Sequence, residues 1–312
     1  MKGRMDCHGE TSRGLIRETN EDQFLVADMK KTVVIHHTSL SYDEHTELCG
    51  ASQAKLMLVA DGLGGHACGE RASSMAVEGV IRYLLNAMHW IFRPEDDREE
   101  AFLDDLKQAL HFSQQQIQRA AEAVPSQHGM GTTMTMAYVS WPHAYLVHAG
   151  DSRAYLYRDG TLARLTHDQT YAQALADAGI FRPEQIETSP LNHVLVSLLG
   201  CDPGHLTPEV LKCELKLGDT LLLCTDGLTR HLSEKQVGQI LAAPQCSEFL
   251  CRELIDSTNA RGGRDNTTVV VARFTDLQST ELDCEAAEEP VGNAAVASGT
   301  ARPPEADEAF SG

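Results

Sequence analysis

KLMLVADGLGGHACGERASS, residues 55–74, decides how the rest of the chain is read. Leu56 to Ala60 form an apolar run of strand length, Asp61 closes it, a glycine-rich turn follows, and a helix begins. A strand that ends in Asp-Gly can aim a carboxylate and a bare backbone carbonyl at one point, because glycine tolerates positive φ and close approach. Oxygen donors of that kind suit hard cations such as Mg²⁺ and Mn²⁺. Three more carboxylates stand at strand edges downstream. TLLLCTDGLT (220–229) is a second buried strand and places Asp226-Gly227 at its end. Asp265-Asn266 opens the last strand, and Gly150-Asp151 lies between two strands. Antiparallel pairing would bring all four acids to one edge, where they would repel one another unless divalent cations neutralised them.

The remaining segments supply the layers. After the turn, Val77, Val80, Ile81, Leu84, Leu85 and Met88 follow the i, i+3, i+4 spacing of a helix face. Pro94 and PEDDREE interrupt it. A second helix carries Leu103, Leu106, Leu110, Ile117 and Ala120. Two such helices cover one face of a sheet. From Gly129 to Thr166 the period falls to two, with Asp159-Gly160 a hairpin turn. Residues 166–196 mix a short helical pattern with two prolines and form a candidate substrate flap. Ser233 to Leu241 is a helix with Ser233 as its cap, and Phe249, Leu250, Leu254 and Ile255 mark another. Phe24 to Ala27 enter a strand, preceded by Arg17 and the pair Glu21-Asp22; Thr32 to Ile35 form a further strand. HHTSLSYDEHTELCGASQ (36–53) has neither period and reads as an exposed excursion, its histidines lying on the surface. The pattern is α+β.

The chain has 312 residues, nine cysteines without a CxxC pair, and a formal net charge of −19. Residues 276–312 hold nine acids and one base, and 277–312 read as a disordered acidic tail on a domain spanning 1–276. An acidic body excludes nucleic acid and anionic membrane as main partners. With no apolar span and no signal-peptide core at the N-terminus, a cytoplasmic protein with reduced thiols is expected.

Six motifs in order, RETNED (17–22), VADGLGGH (59–66), GTT (131–133), GDSRAY (150–155), CTDGLT (224–229) and GRDNTT (263–268), resemble the signature set of the metal-dependent protein phosphatases, the PPM or protein phosphatase 2C family. The resemblance runs from Gly14 to Phe274 and favours the bacterial branch, since Leu63 stands where animal members carry histidine. It implies a four-layer α-β-β-α sandwich, two packed antiparallel sheets flanked by helix pairs. It also implies a serine/threonine phosphatase using two Mn²⁺ or Mg²⁺ ions, with a third possible.

Carried over by residue, Asp61 bridges both ions, the Gly62 carbonyl holds one, and Asp226 and Asp265 hold the other. Glu21 and Asp22 match the acidic pair that acts mainly through metal-bound water, and Asp22 is counted with the metal ligands. Asp151 matches the ligand of the third ion, and Arg17 the arginine that grips phosphate. His66 and Asn266 are supporting candidates. The implied chemistry is direct attack by a water bridging two ions. The implied partners are phosphoproteins made by a serine/threonine kinase, and the implied state is a monomer. A phosphatase devoted to one regulatory protein, an inactive phosphatase-fold regulator binding one partner, and a nucleotide-phosphate cradle at GLGGH are the alternatives; the last lacks the GK[ST] ending.

Overall fold

A computed structural model describes residues 4–37, 39–41, 45–65, 67–86, 99–200 and 206–275. In chain order these form β1 (Arg4–Ser12), β2 (Gln23–Ile35), β3 (Thr46–Ala60), β4 (Gly62–Leu63), α1 (Ala67–Asn86) and α2 (Glu99–Ala123). Then come β5 (Gly131–Thr132), β6 (Met134–Ser140), β7 (His143–Ala149), β8 (Arg153–Arg158) and β9 (Thr161–Arg164), followed by α3 (Tyr171–Asp177) and α4 (Pro183–Ile186). The chain closes with β10 (Leu199–Gly200), β11 (Glu209–Glu214), β12 (Thr220–Cys224), α5 (Asp226–Thr229), α6 (Glu234–Leu241), α7 (Ser247–Ala260) and β13 (Thr267–Thr275).

Two five-stranded sheets, ordered β1-β13-β12-β8-β9 and β11-β7-β6-β3-β2, are antiparallel at every pairing. Side-chain alternation explains how they stack. Along β3, Leu56, Leu58 and Ala60 enter a core shared with α1 and α2, while Met57 and Val59 enter the core between the sheets. Along β13, Val270, Ala272 and Phe274 enter that same central core, and Val269 and Val271 pack with Leu250 and Leu254 of α7. Three cores separate four layers, helices, sheet, sheet, helices, as the expected sandwich requires. Both faces of the inner strands are covered, so those strands read as unbroken apolar runs rather than alternating ones.

Four readings need correction. Residues 36–54 are not a structureless excursion: β2 runs to Ile35, β3 starts at Thr46, and the two pair from Gln23↔Ala60 out to Ile35↔Thr46. Val33, Val34 and Leu48 on this ribbon are exposed, so burial leaves no periodic trace there. Strand β1, not foreseen at all, pairs with β13 through all nine residues and, as a sheet edge, is built of mostly polar residues. On α1 the buried face is Ala72, Ser73, Ala76, Val80 and Leu84, whereas Leu85 is exposed and Met88 lies outside the described residues. Small residues there let α1 lie close to α2: a Cβ on Gly79 would press on Ser113. Finally, Cys246 is disulfide-bonded, so the thiols are not all reduced.

The Asp159-Gly160 turn has positive φ at both positions, 49° and 79°, as a two-residue primed hairpin demands. Residues 166–196 hold α3, α4 and a 3₁₀ turn at Pro190–His193 between β9 and β10. The proposed tail, 277–312, lies outside the described residues.

Candidate metal centre

Strand register gathers the acids. Gln23 pairs with Ala60, which sets Asp22 beside Asp61. Cys224 pairs with Val269 on one side and Arg153 on the other, which brings Asp226, Asp265 and Asp151 to the same end of the sandwich. Their mutual influence is direct: Asp61 feels Asp22, Asp226, Asp151 and Asp265. Asp22 and Asp226 are buried, while Asp61, Asp151 and Asp265 keep part of their surface open.

Threonines hold the Asp61 backbone and the Asp22 carboxylate. The Asp61 carbonyl accepts from the Thr133 N–H at 2.9 Å and the Thr132 hydroxyl at 2.8 Å, and the Asp61 N–H donates to Thr133 Oγ1 at 3.0 Å. Thr133 in turn bonds Ser152 at 2.8 Å. Asp22 Oδ2 accepts from Thr225 at 2.8 Å and Thr268 at 2.7 Å, whereas its buried Oδ1 has no partner among the described residues. Gly62 is tightly enclosed; a Cβ there would collide with the carbonyls of Gly69 and Glu21. Glu21 is tucked against Gly69 in the first turn of α1, and its carbonyl accepts from Ser73 at 2.6 Å.

Asn266 ties the first motif to the last. Its Oδ1 accepts from the Glu21 N–H at 2.9 Å, and its Nδ2 donates to the carbonyls of Arg13 and Thr19, both at 2.9 Å. The loop so anchored carries Arg17, which donates to Asp265 Oδ1 at 2.8 Å and has about half of its side chain exposed. His66 lies outside the described residues.

Several contributors were not foreseen. Arg230 pairs with both Asp226 and Asp265, the latter at 2.7 Å. Its place four residues after Asp226 on a helix was the available signal. Arg153 grips buried Asp168 through Nε at 2.9 Å and Nη2 at 2.6 Å, fixing the start of the flap segment. Thr225 and Thr268 flank the quoted acids and were passed over.

The electrostatics are those of crowded, desolvated acids. Burial, with Asp226 and Asp265 adding and two threonine hydroxyls subtracting, pushes Asp22 up to about 7. Burial, then Asp226 and Asp168, pushes Asp151 up to about 8. Burial and four neighbouring acids hold Asp61 well above the carboxylate range. Burial also raises Asp226, although Arg230 opposes it. Among the described residues no three of these groups stand in a ready coordination geometry, and arginines sit against two of them. The donor set nevertheless fits hard divalent cations: it is all oxygen, strongly negative, and includes the partnerless Oδ1 of Asp22.

The family model described as Protein phosphatase 2C matches residues 34–261. The serine/threonine protein phosphatase PstP of Mycobacterium tuberculosis is 32% identical over 267 residues, covering 85% of this chain and 44% of that relative. The chain therefore spans less than half the length of PstP. The serine/threonine phosphatase stp of Listeria welshimeri is 30% identical, covering 86% of this chain and 95% of the relative. Among solved structures, the M. tuberculosis phosphatase PstP/Ppp superposes with a TM-score of 0.68 at 31% identity, covering 87% of this chain and 99% of that one. The PstP catalytic domain in complex with two manganese ions gives a TM-score of 0.66 at 32% identity, covering 87% and 99%.

Proposed function

The chain belongs to the protein phosphatase 2C family, and from that premise we propose that it is a metal-dependent protein phosphatase acting on phosphoserine and phosphothreonine. The observation that carries the reading is the convergence of Asp22, Asp61, Asp151, Asp226 and Asp265 at one end of the sandwich, with Arg17 at its rim. In this reading Asp61, the Gly62 carbonyl, Asp226 and Asp265 hold two Mn²⁺ or Mg²⁺ ions, Asp22 supports them, and Asp151 serves a third. The ions, when bound, supply a nucleophilic water at neutral pH and offset charge on the transferred phosphoryl group.

The chain's own residues do the rest. Arg17 offers a planar fork that matches phosphate oxygens, and its exposed half leaves donors free of Asp265. Asn266 and Ser73 fix the loop and the Glu21 backbone, so that the arginine meets substrate from one direction. Thr132 and Thr133 fix the Asp61 carbonyl and hence the turn into Gly62. The Arg153–Asp168 pair anchors the segment that overhangs the cavity shared by Asp151, Asp226 and Arg230.

The substrates in this reading are phosphoproteins, the counterpart of a serine/threonine kinase, and the working unit is a monomer in the cytoplasm. No helix among the described residues is long and apolar enough to cross a membrane. The domain ends near Asp276, so a chain truncated there should retain turnover. Phosphate release from a phosphothreonine peptide, with and without Mn²⁺ and alongside Asp265→Asn, tests the reading. Metal-dependent release that vanishes in the variant supports it; release from folded protein that ignores Mn²⁺ refutes it.

A further inference from the structure

Beside Asp265 opens a groove of about 540 Å³ lined by Arg17, Arg230, His231, Arg261, Arg264 and Asp265. Four arginines around one acid is a marked local reversal in a chain of net charge −19. Two of the four have their charge engaged by the metal-centre acids: Arg17 with Asp265, and Arg230 with Asp226 and Asp265. Arg261 and Arg264 are different. The Arg261 guanidinium donates one bond, to the Ser257 carbonyl at 2.8 Å, and has no acid partner among the described residues. Arg264 is exposed, and its side chain makes no ion pair among the described residues.

The position of Arg264 is nonetheless fixed. His231 bonds the Gly227 carbonyl through Nδ1 at 2.8 Å and accepts the Arg264 backbone N–H at Nε2, 3.3 Å away. A carbonyl can only accept, so Nδ1 is the donor to Gly227, and Nε2 faces the Arg264 N–H. This histidine ties the turn bearing Arg264 to the turn bearing Asp226. The groove is also continuous with its surroundings. Arg230 and His231 line the 650 Å³ cavity that contains Asp151 and Asp226. Arg261 lines a further cavity of about 390 Å³ between α6 and α7, where Glu253 is the single acid. A chain leaving the metal centre therefore passes the two arginines that carry uncompensated charge.

We propose that this groove is a subsite for a second anionic group on the substrate, a phosphate or carboxylate flanking the phosphoresidue that is hydrolysed. Guanidinium forks bind phosphate and carboxylate oxygens bidentately, and a concave basic wall concentrates anions against an otherwise repulsive acidic surface. The inference rests on the phosphatase reading. The acidic body argues against an extended nucleic acid as the source of that anion.

The test compares three phosphothreonine peptides of one backbone: with neutral flanks, with flanking glutamates, and with a second phosphothreonine. Each is hydrolysed with Mn²⁺ by the full chain and by the Arg261→Gln/Arg264→Gln double variant. The full chain should show a kcat/KM for one or both anionic peptides about tenfold above the neutral one, about 1.4 kcal/mol. That preference should reside in KM, shrink with added salt, and fall to near unity in the double variant. Gain with glutamates assigns a carboxylate subsite; gain confined to the second phosphothreonine assigns a phosphate subsite. An equal preference in both proteins, or none in the full chain, overturns the subsite while turnover of p-nitrophenyl phosphate leaves the phosphatase reading standing. Absence of turnover on every substrate overturns both.

Discussion

Arg230 donates to Asp265 at 2.7 Å while also pairing with Asp226, so one guanidinium spans two acids from opposite ends of the last helix-rich segment. It relieves repulsion between two carboxylates that the family resemblance assigns to the same ion. A cation arriving there must compete with it. Arg230→Gln should therefore have two opposite effects. In chelator the variant should melt about 2–4 °C lower, the loss expected for roughly 1 kcal/mol in a domain of this size. Its apparent Mn²⁺ affinity by titration calorimetry should rise several-fold. A fall in both would show that Arg230 supports the ions rather than competing with them.

Asp61 makes the complementary case. Burial, with four neighbouring acids adding to it, holds it above its ordinary range. A carboxyl raised in this way binds more protons folded than unfolded, so stability falls as pH climbs above the normal carboxylate value. Asp61→Asn removes that penalty. The variant should melt higher than the parent in chelator, by more at pH 8 than at pH 5, while Mn²⁺-dependent turnover drops at least about a hundredfold. Equal melting at both pH values would mean that the cluster does not burden this carboxylate.

How much of this was legible beforehand follows from where burial acts. β3, β12 and β13 are covered on both faces, so their apolar runs, and the acids closing or opening them, stood out in the sequence. The outer ribbon of β2 and β3 and the edge strand β1 are held by backbone hydrogen bonds, which leave no side-chain pattern. On α1 the expected Val80 and Leu84 are buried and Val77 packs beside them, but the face continues through Ala72, Ser73 and Ala76, small residues that carry no apolar stripe. At the site, Asp61 and Asp226 were visible because each follows an apolar strand, with Asp151 and Asp265 beside further strands. Their supports were not: Thr225 and Thr268 gain meaning only when Asp22, 203 and 246 residues from them, folds between them, and Arg230 only when Asp265 is brought beside Asp226.

Asn266 shows what such a meeting achieves. Its amide satisfies one donor and two acceptors of the 13–21 loop, on which Arg17 rides. Asn266→Ala deletes three hydrogen bonds at a buried position and should cost about 2–3 kcal/mol of stability. Asn266→Asp keeps the volume but sets oxygen against two carbonyls, so it should be no better. Because the residue acts through Arg17, KM for a phosphopeptide should rise more than kcat falls. A variant losing only kcat, with KM intact, would place Asn266 in the chemistry rather than in the positioning of the loop.

His148 supplies a pH signature away from the acids' own titration. It is fully buried; its Nε2 bonds the His167 carbonyl at 3.1 Å and its Nδ1 bonds the Thr135 hydroxyl at 2.8 Å. Since the carbonyl only accepts, Nε2 carries a proton. Burial lowers its pKa to about 4, from an ordinary 6.5. Between those values the unfolded chain binds a proton that the folded chain refuses, so this residue makes stability rise with pH across the window. The contribution present above pH 6.5 is about 3 kcal/mol and is lost as pH falls toward 4. The crowded acids act with the opposite sign, so the residue is isolated by comparing the parent with His148→Gln in urea melts at pH 4.5, 5.5 and 7. The variant should be less stable than the parent at pH 7 and should close the gap as pH falls. A gap that stays constant across the three values would show that His148 takes up its proton without disturbing the fold.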